Sequence, residues 1–145
     1  MAWRFFMPKI DHGRLLEALR VAEARTSGEI RVIVARHRTR DPVREAEGYF
    51  HRLGMGGSKH RNGVLIFMAP LSRSYAVIGD TAVHQQCGDA FWSELAQSMG
   101  GYFAREAFTD GLVHGIERAG ELLARTFPRA SEDGPPAPPS ADEVP

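Results

Sequence analysis

The sequence predicts an α/β fold in which a small mixed sheet lies between two layers of helices. Residues 29–35 and 62–69 have the length and the β-branched, apolar composition of strands. Residues 74–79 return as a third strand after a short turn that contains Pro70. Segments with helical apolar spacing flank these strands on both sides in the sequence, which is typical of a three-layer α/β/α sandwich.

Start signals and apolar spacing predict four helices. Asp11 is a suitable N-cap for the first helix, which ends at residues 26–28, and Asp41-Pro42 begins the second. The third covers about residues 88–104, and the fourth begins at Thr109 and stops before Pro128. The residues expected to be buried on these helices are Leu15, Leu19, Ala22, Val43, Ala46, Phe50, Leu53, Phe91, Leu95, Met99, Leu112, Ile116, Ala119 and Leu123.

The connections between the strands predict which residues share an end of the sheet. A helix joins strands one and two, which favours parallel pairing, whereas the short turn makes strands two and three antiparallel. One end of the sheet then collects Glu29, His60, Arg61, Asn62 and Asp80. The opposite end collects Arg36, His37, Arg38, Arg40 and Arg44.

Composition divides the chain into three parts. Residues 1–9 are an apolar N-terminal arm, residues 10–127 form one domain, and residues 128–145 are a proline-rich acidic tail that we expect to be disordered. The arm either packs back onto the domain or touches a partner or a membrane. The tail is expected to aid solubility, with a polyproline ligand as the alternative.

Charge, cysteine content and apolar runs limit the classes of function. Residues 1–127 hold 17 basic and 14 acidic side chains, a net +3 that is too mild for a typical nucleic-acid-binding face. No apolar run is long enough to span a bilayer, and no signal peptide is recognisable, so we expect a cytoplasmic protein. Cys87 is the only cysteine, which excludes an internal disulfide.

Several short motifs occur in a fixed order along residues 10–127. They are Thr26-Ser27-Gly28-Glu29-Ile30-Arg31-Val32, Asn62-Gly63-Val64-Leu65-Ile66-Phe67, Arg73 with Gly79, and Phe108-Thr109-Asp110-Gly111. This order resembles the TPM domain. The resemblance implies a Rossmann-like sandwich. Family members include a plant thylakoid protein linked to acid phosphatase activity and photosystem II repair; some bind calcium, and others associate with membrane complexes.

The sequence departs from the metal-binding members of that family at two positions. His60-Arg61 stands where those members tend to carry an acidic residue before Asn-Gly, and Val83 stands at a glutamate position. Calcium takes six to eight oxygen ligands. We therefore expect no metal, and expect Arg61 to pair with Asp80 or a neighbouring carboxylate in its place. The alternative is a calcium site that uses Asp80, Asp89 and Asp110.

Three further patterns have simple interpretations. His84 and Cys87 have half of a zinc-like spacing without a second pair, so a surface histidine and a buried thiol are expected. The glycine-rich residues 54–59 lead from a helix to a strand, the reverse of a phosphate-binding loop, and predict a flexible turn. Arg36, Arg38 and Arg40 are either a solvated strand end or a site for an acidic partner or anionic lipid.

Two functions remain for this sequence. The first is a non-catalytic interaction or regulatory domain that acts with a membrane-associated protein complex, with Arg61, Asn62, Asp80, Arg36, Arg38 and Arg40 as binding residues. The alternative is a calcium- or magnesium-dependent acid phosphatase, in which Asp80 and Asp110 hold the metal and Arg61 helps to neutralise the phosphate.

Overall fold

A computed structural model describes residues 7–57 and 60–145. The described part contains four α-helices and a four-stranded sheet. The helices are α1 (His12–Glu23), α2 (Pro42–Arg52), α3 (Thr81–Ala104) and α4 (Phe108–Thr126). The strands are β1 (Ile30–Ala35), β2 (Val64–Ala69), β3 (Ser74–Gly79) and β4 (Ser140–Val144), in the sheet order β3-β2-β1-β4. None of the helices in the described ranges is both long and apolar enough to cross a bilayer.

The predicted strand directions are confirmed. β1 and β2 are parallel, with Ile30 opposite Val64, and β2 and β3 are antiparallel, with Val64 opposite Gly79. The starts of β1 and β2 and the end of β3 therefore lie at one end of the sheet. The Pro70–Ser72 turn between β2 and β3 lies at the other end.

The sheet buries apolar side chains on both faces, as a three-layer sandwich requires. Val32 and Ile66 face the cluster formed by α1, α3 and α4, whereas Ile33 and Phe67 face α2. All six residues of β2 are buried, as expected for a central strand. Most of the helix residues that were expected to be buried are buried, but Val43 is 47% exposed, and Phe50, Leu53 and Phe91 are only partly buried.

The caps explain where two helices begin. Asp11 accepts a hydrogen bond from the Arg14 N–H, and Asp41 accepts one from the Arg44 N–H. α3 as a whole begins at Thr81, but Gly88 has a non-helical φ of 72° and divides it into two helical parts. The predicted helix from about residue 88 is the second part, and the first part, from Thr81 to the kink, was not predicted.

The tail is the main departure from the predicted organisation. Disorder was expected for residues 128–145, but Ser140–Val144 forms β4, which lies parallel to β1 from Arg31 opposite Ser140 to Ala35 opposite Val144. Pro128 also forms a bridge with Thr26. Of the predicted arm, residues 1–6 lie outside the described residues, and Met7 packs against the main apolar cluster.

Candidate binding site at one end of the sheet

Two strand ends place Arg61 beside Asp80. Arg61 precedes β2 and Asp80 follows β3, and backbone hydrogen bonds join the two segments, from Asp80 N–H to Gly63 O (2.9 Å) and from Ala82 N–H to Arg61 O (3.1 Å). The Arg61 Nε lies 3.5 Å from the Asp80 Oδ1. The expected contact between these two side chains is therefore present.

The two partners differ sharply in exposure. The Arg61 side chain is 53% exposed, whereas that of Asp80 is 4% exposed. The Asp80 Oδ1 accepts a hydrogen bond from the Thr81 N–H at 2.6 Å, but its buried Oδ2 has no hydrogen-bond partner among the described residues. Asp80 is thus a buried carboxylate whose nearby cation lies at the surface.

The backbone of Arg61 has an uncommon conformation. Its φ is 54°, in the left-handed region that asparagine, aspartate and glycine adopt more readily than other residues. An aspartate at this position would fit the same backbone with less strain. The conformation thus suits an acidic residue, although the sequence places an arginine here.

Asn62 fixes the neighbouring loop. It is almost fully buried, and its Nδ2 donates to the Ser27 Oγ at 3.0 Å. A Cβ at Gly28 would lie 2.9 Å from the Asn62 backbone oxygen, so only glycine allows the two loops to approach this closely. The Thr26-Ser27-Gly28 and Asn62-Gly63 motifs therefore contact each other directly.

A polar cavity of about 350 Å³ opens at the same end of the sheet. Its most unusual lining group is Glu23, which is 4% exposed. The Glu23 Oε2 accepts a long hydrogen bond from the Ile30 N–H (3.4 Å), while Oε1 has no partner among the described residues. Burial raises the pKa of Glu23 to about 7, with the Glu29 charge adding to the effect and the Ile30 N–H opposing it.

The first part of the tail covers this cavity. The Arg129 guanidinium donates to the Glu23 backbone oxygen at 3.2 and 3.3 Å and to the Gly134 oxygen at 2.7 Å. The Asp133 carboxylate accepts from the Ala130 N–H and lies 3.3 Å from the His60 Nε2, and the Ala130 hydrogen bond lowers its pKa. Residues 128–139 were expected to be disordered, but here they form one wall of the cavity.

The sequence analysis did not identify Glu23, although a signal was present. Leu15, Leu19 and Glu23 are spaced by four residues, so the carboxyl falls on the buried stripe of α1. An ionisable group on that stripe is a departure from the usual pattern and marks a candidate functional position.

The other predicted metal ligands do not converge on Asp80. Asp110, in the first turn of α4, pairs with Arg14 at 2.8 Å. The start of α4, at Phe108, lines a cavity with Pro70 and Leu71 of the β2–β3 turn, at the end of the sheet opposite Asp80. Asp89 is an exposed residue just after the Gly88 kink. Asp80, Asp89 and Asp110 are thus not brought together among the described residues.

Within residues 7–57 and 60–145, no three His, Cys, Asp or Glu side chains are grouped so that they could hold a metal ion. Cys87 is partly buried, and burial raises the pKa of its thiol, the reverse of what a nucleophile needs. The His84 ring lies near the Trp92 ring, with the ring centres 6.0 Å apart.

The predicted arginine cluster lies at the far end of β1. Arg36 lies 3.3 Å from Glu143 of β4, Arg38 donates to the Leu71 oxygen at 3.1 Å, and Arg40 is exposed. His37 hydrogen-bonds with Glu45 at 2.7 Å and with the Pro145 oxygen at 2.8 Å. The cluster thus receives an acidic residue of the chain's own tail.

Comparison with known proteins identifies the family. The profile of the TPM domain matches residues 6–122. The chain belongs to the TPM domain family. This confirms the resemblance noted in the motifs around Gly28, Asn62 and Asp110.

Solved structures agree with this assignment. The BA42 protein from the psychrophilic bacterium Bizionia argentinensis is 33% identical, with a TM-score of 0.79 over 92% of this chain and 95% of that one. The N-terminal domain of the cg2496 protein from Corynebacterium glutamicum is 18% identical, with a TM-score of 0.60 over 77% of this chain and 70% of that one, which supports the fold alone. A comparison with curated protein sequences finds no match.

Proposed function

We propose that this TPM domain is a non-catalytic interaction module that works through the Arg61–Asp80 end of its sheet. The observation that carries the proposal is the guanidinium of Arg61, 3.5 Å from the one buried aspartate at that end. A membrane-associated protein complex is the partner that the family resemblance suggests. We expect the domain to act from the cytoplasm.

The charge of Arg61 opposes a metal at Asp80. Two unit positive charges about 4 Å apart repel by roughly 4 kcal/mol at an effective dielectric constant of 20, and a divalent ion doubles this. A cation would bind only after the half-exposed guanidinium moved away, which would cost the ion pair. Arg61 thus stands in for the metal that other family members bind.

A metal-dependent acid phosphatase is the second candidate. The observation that favours it is the buried Oδ2 of Asp80, an acceptor that has no hydrogen-bond partner among the described residues. Such an oxygen is suited to a metal or to a proton donor. Asp110 lies at the other end of the sheet, so this candidate rests on Asp80.

Calcium titration and a phosphatase assay separate the two candidates. The wild type and the variants R61D, D80N and D110N are titrated with calcium or magnesium by calorimetry and assayed on p-nitrophenyl phosphate at mildly acidic pH. We expect the wild type to bind no calcium tighter than about 100 μM and to release no p-nitrophenol above background. R61D should gain calcium affinity, because it adds a carboxylate and removes the opposing charge.

D110N is the matched control, since it removes an aspartate from the other end of the sheet. Calcium binding by the wild type that is tighter than about 100 μM would overturn the replacement of the metal by Arg61. Hydrolysis that D80N abolishes and D110N preserves would overturn the non-catalytic role and establish the phosphatase.

A further inference from the structure

The outer edge of β1 is covered by the chain's own tail. β1 is buried along almost its whole length, and β2 pairs with one of its edges. β4 pairs with the other edge, and it is formed by residues 140–144, beyond the residues that match the TPM domain profile. If β4 left, a buried strand would present a row of unpaired backbone groups.

The contacts of β4 define the kind of segment that fits this edge. The backbone of Arg36 donates to the Val144 oxygen at 2.8 Å, which extends the ladder by one residue. The Glu143 carboxylate lies 3.3 Å from both the Arg36 Nη1 and the His12 Nε2. Ala141 packs against the apolar cluster on one face of the sheet and Val144 against that on the other.

These contacts hold β4 only lightly. Its two apolar side chains, Ala141 and Val144, are only partly buried. Asp142 is exposed, and the Glu143 side chain remains 30% exposed beside its two basic neighbours. The segment before it carries Gly134, with φ of 69°, and four prolines, which donate no backbone hydrogen bonds. Backbone pairing and the two basic side chains therefore supply most of its attachment, and both are available to any extended acidic segment.

We propose that the outer edge of β1 is a docking edge for an extended acidic segment of a partner protein, which residues 140–144 occupy in cis. The fitting segment has a small residue, two acidic residues and an apolar residue in that order, as in Ala141-Asp142-Glu143-Val144. Strand addition of this kind takes its affinity from main-chain hydrogen bonds and its specificity from alternate side chains. The inference rests on the proposed interaction role and names the chemistry of the partner.

The tethered tail must be outcompeted before a partner binds. A short connection gives a cis segment an effective concentration of at least the millimolar range when its length matches the span. A free peptide with the tail sequence should therefore bind the wild-type chain weakly. Loosening the cis strand without altering Arg36 or His12 should reveal the edge.

The test uses a fluorescently labelled synthetic peptide with the sequence of residues 138–145. In the full chain, E143K places a cation beside Arg36 and His12, which loosens the cis strand and leaves the edge intact. We expect the peptide to bind E143K at least about tenfold more tightly than the wild type, because the cis competitor is weakened. A peptide that carries the same glutamate-to-lysine change should bind E143K at least about tenfold more weakly than the unchanged peptide.

A covalently closed chain provides the matched control. Arg31 and Ser140 are directly opposite each other, and neighbouring strands about 4.8 Å apart are within disulfide reach. R31C and S140C, combined with C87S in the E143K chain, should abolish peptide binding when oxidised and restore it when reduced. Hydrogen exchange of the wild type gives a second measurement: saturating peptide should speed exchange of the β4 amides while those of β1 stay protected.

Equal binding to the oxidised and reduced forms, no binding to E143K below about 1 mM, or unchanged β4 exchange would overturn the docking edge. A dimer of E143K that forms without binding peptide would assign the edge to a second copy and would also overturn it. Failure here leaves the calcium and phosphatase results at Asp80 unaffected, so the two proposals fail separately.

Discussion

Replacing Glu23 by glutamine should make the domain more stable at neutral and alkaline pH. The carboxyl is buried beside the polar cavity, with one oxygen that has no partner among the described residues. The charged groups around it are Glu29 and Arg31 at the start of β1 and Arg129 of the tail, with His60, Glu132 and Asp133 lining the same cavity. Glutamine keeps the shape and the acceptor for the Ile30 N–H but carries no charge.

The size and the sign of the effect follow from the pKa of Glu23. Folding raises this pKa from 4.5 to about 7, so between these pH values the folded state binds more protons than the unfolded state. The free energy of unfolding of the wild type therefore falls as the pH rises through this window and is constant above it. The wild type loses about 3 kcal/mol of its free energy of unfolding across this window, and the glutamine variant does not lose it.

Thermal unfolding at several pH values measures the difference. At pH 8 the melting temperature of E23Q should exceed that of the wild type by ~6–12 °C, from ~2–4 °C per kcal/mol for a domain of this size. Near pH 4.5 the two should nearly coincide. E132Q, which removes an exposed carboxylate from the same cavity, is the control and should not reproduce the pattern. A wild type that is as stable as E23Q at pH 8 would refute the buried, destabilised carboxylate.

Two further predictions concern packing and titration. G120A should lower the free energy of unfolding, measured in urea, by roughly 1–3 kcal/mol, because its Cβ would lie 2.7 Å from that of Ala22. G101A, which has open space around it, should raise the free energy of unfolding by about 0.5–1 kcal/mol. Equal effects of the two variants would contradict the close contact between α1 and α4. E45Q should move the pKa of His37 down toward 6.5 in an NMR titration, because the Glu45 hydrogen bond is the largest cause that raises it, ahead of the Pro145 oxygen. The stability that this pair adds is present below pH 6.5 and is lost as the pH rises through the raised pKa, so an unchanged His37 titration in E45Q would disprove the coupling.

The elements that local signals define were predictable from the sequence. Asp11 and Asp41 mark helix starts because a side-chain acceptor satisfies free N–H groups, and this requirement does not depend on the rest of the fold. The Arg61–Asp80 contact was predictable as well, because strand direction alone brings the start of β2 and the end of β3 together. Asp110 was misplaced because it belongs to a helix, and no strand connection fixes which end of the sheet a helix start reaches.

β4 was missed because the tail was judged from its composition, which indicates only how much apolar surface a segment can bury by itself. Residues 140–144 are too polar to form a core of their own. The side chains of β1, however, are already buried on both faces of the sheet, and among the described residues of 10–127 only the outer edge of β1 lacks a partner strand. A strand of that kind is costly to leave at an edge, since its backbone groups would lose hydrogen bonds beside buried apolar surface. With three strands predicted in the order β3-β2-β1, the edge of β1 required a cover, and the tail of residues 128–145 was long enough to supply one. The tail strand is ordered by its backbone pairing with β1 and contributes little apolar surface of its own. Another acidic segment that makes the same pairing can therefore replace it.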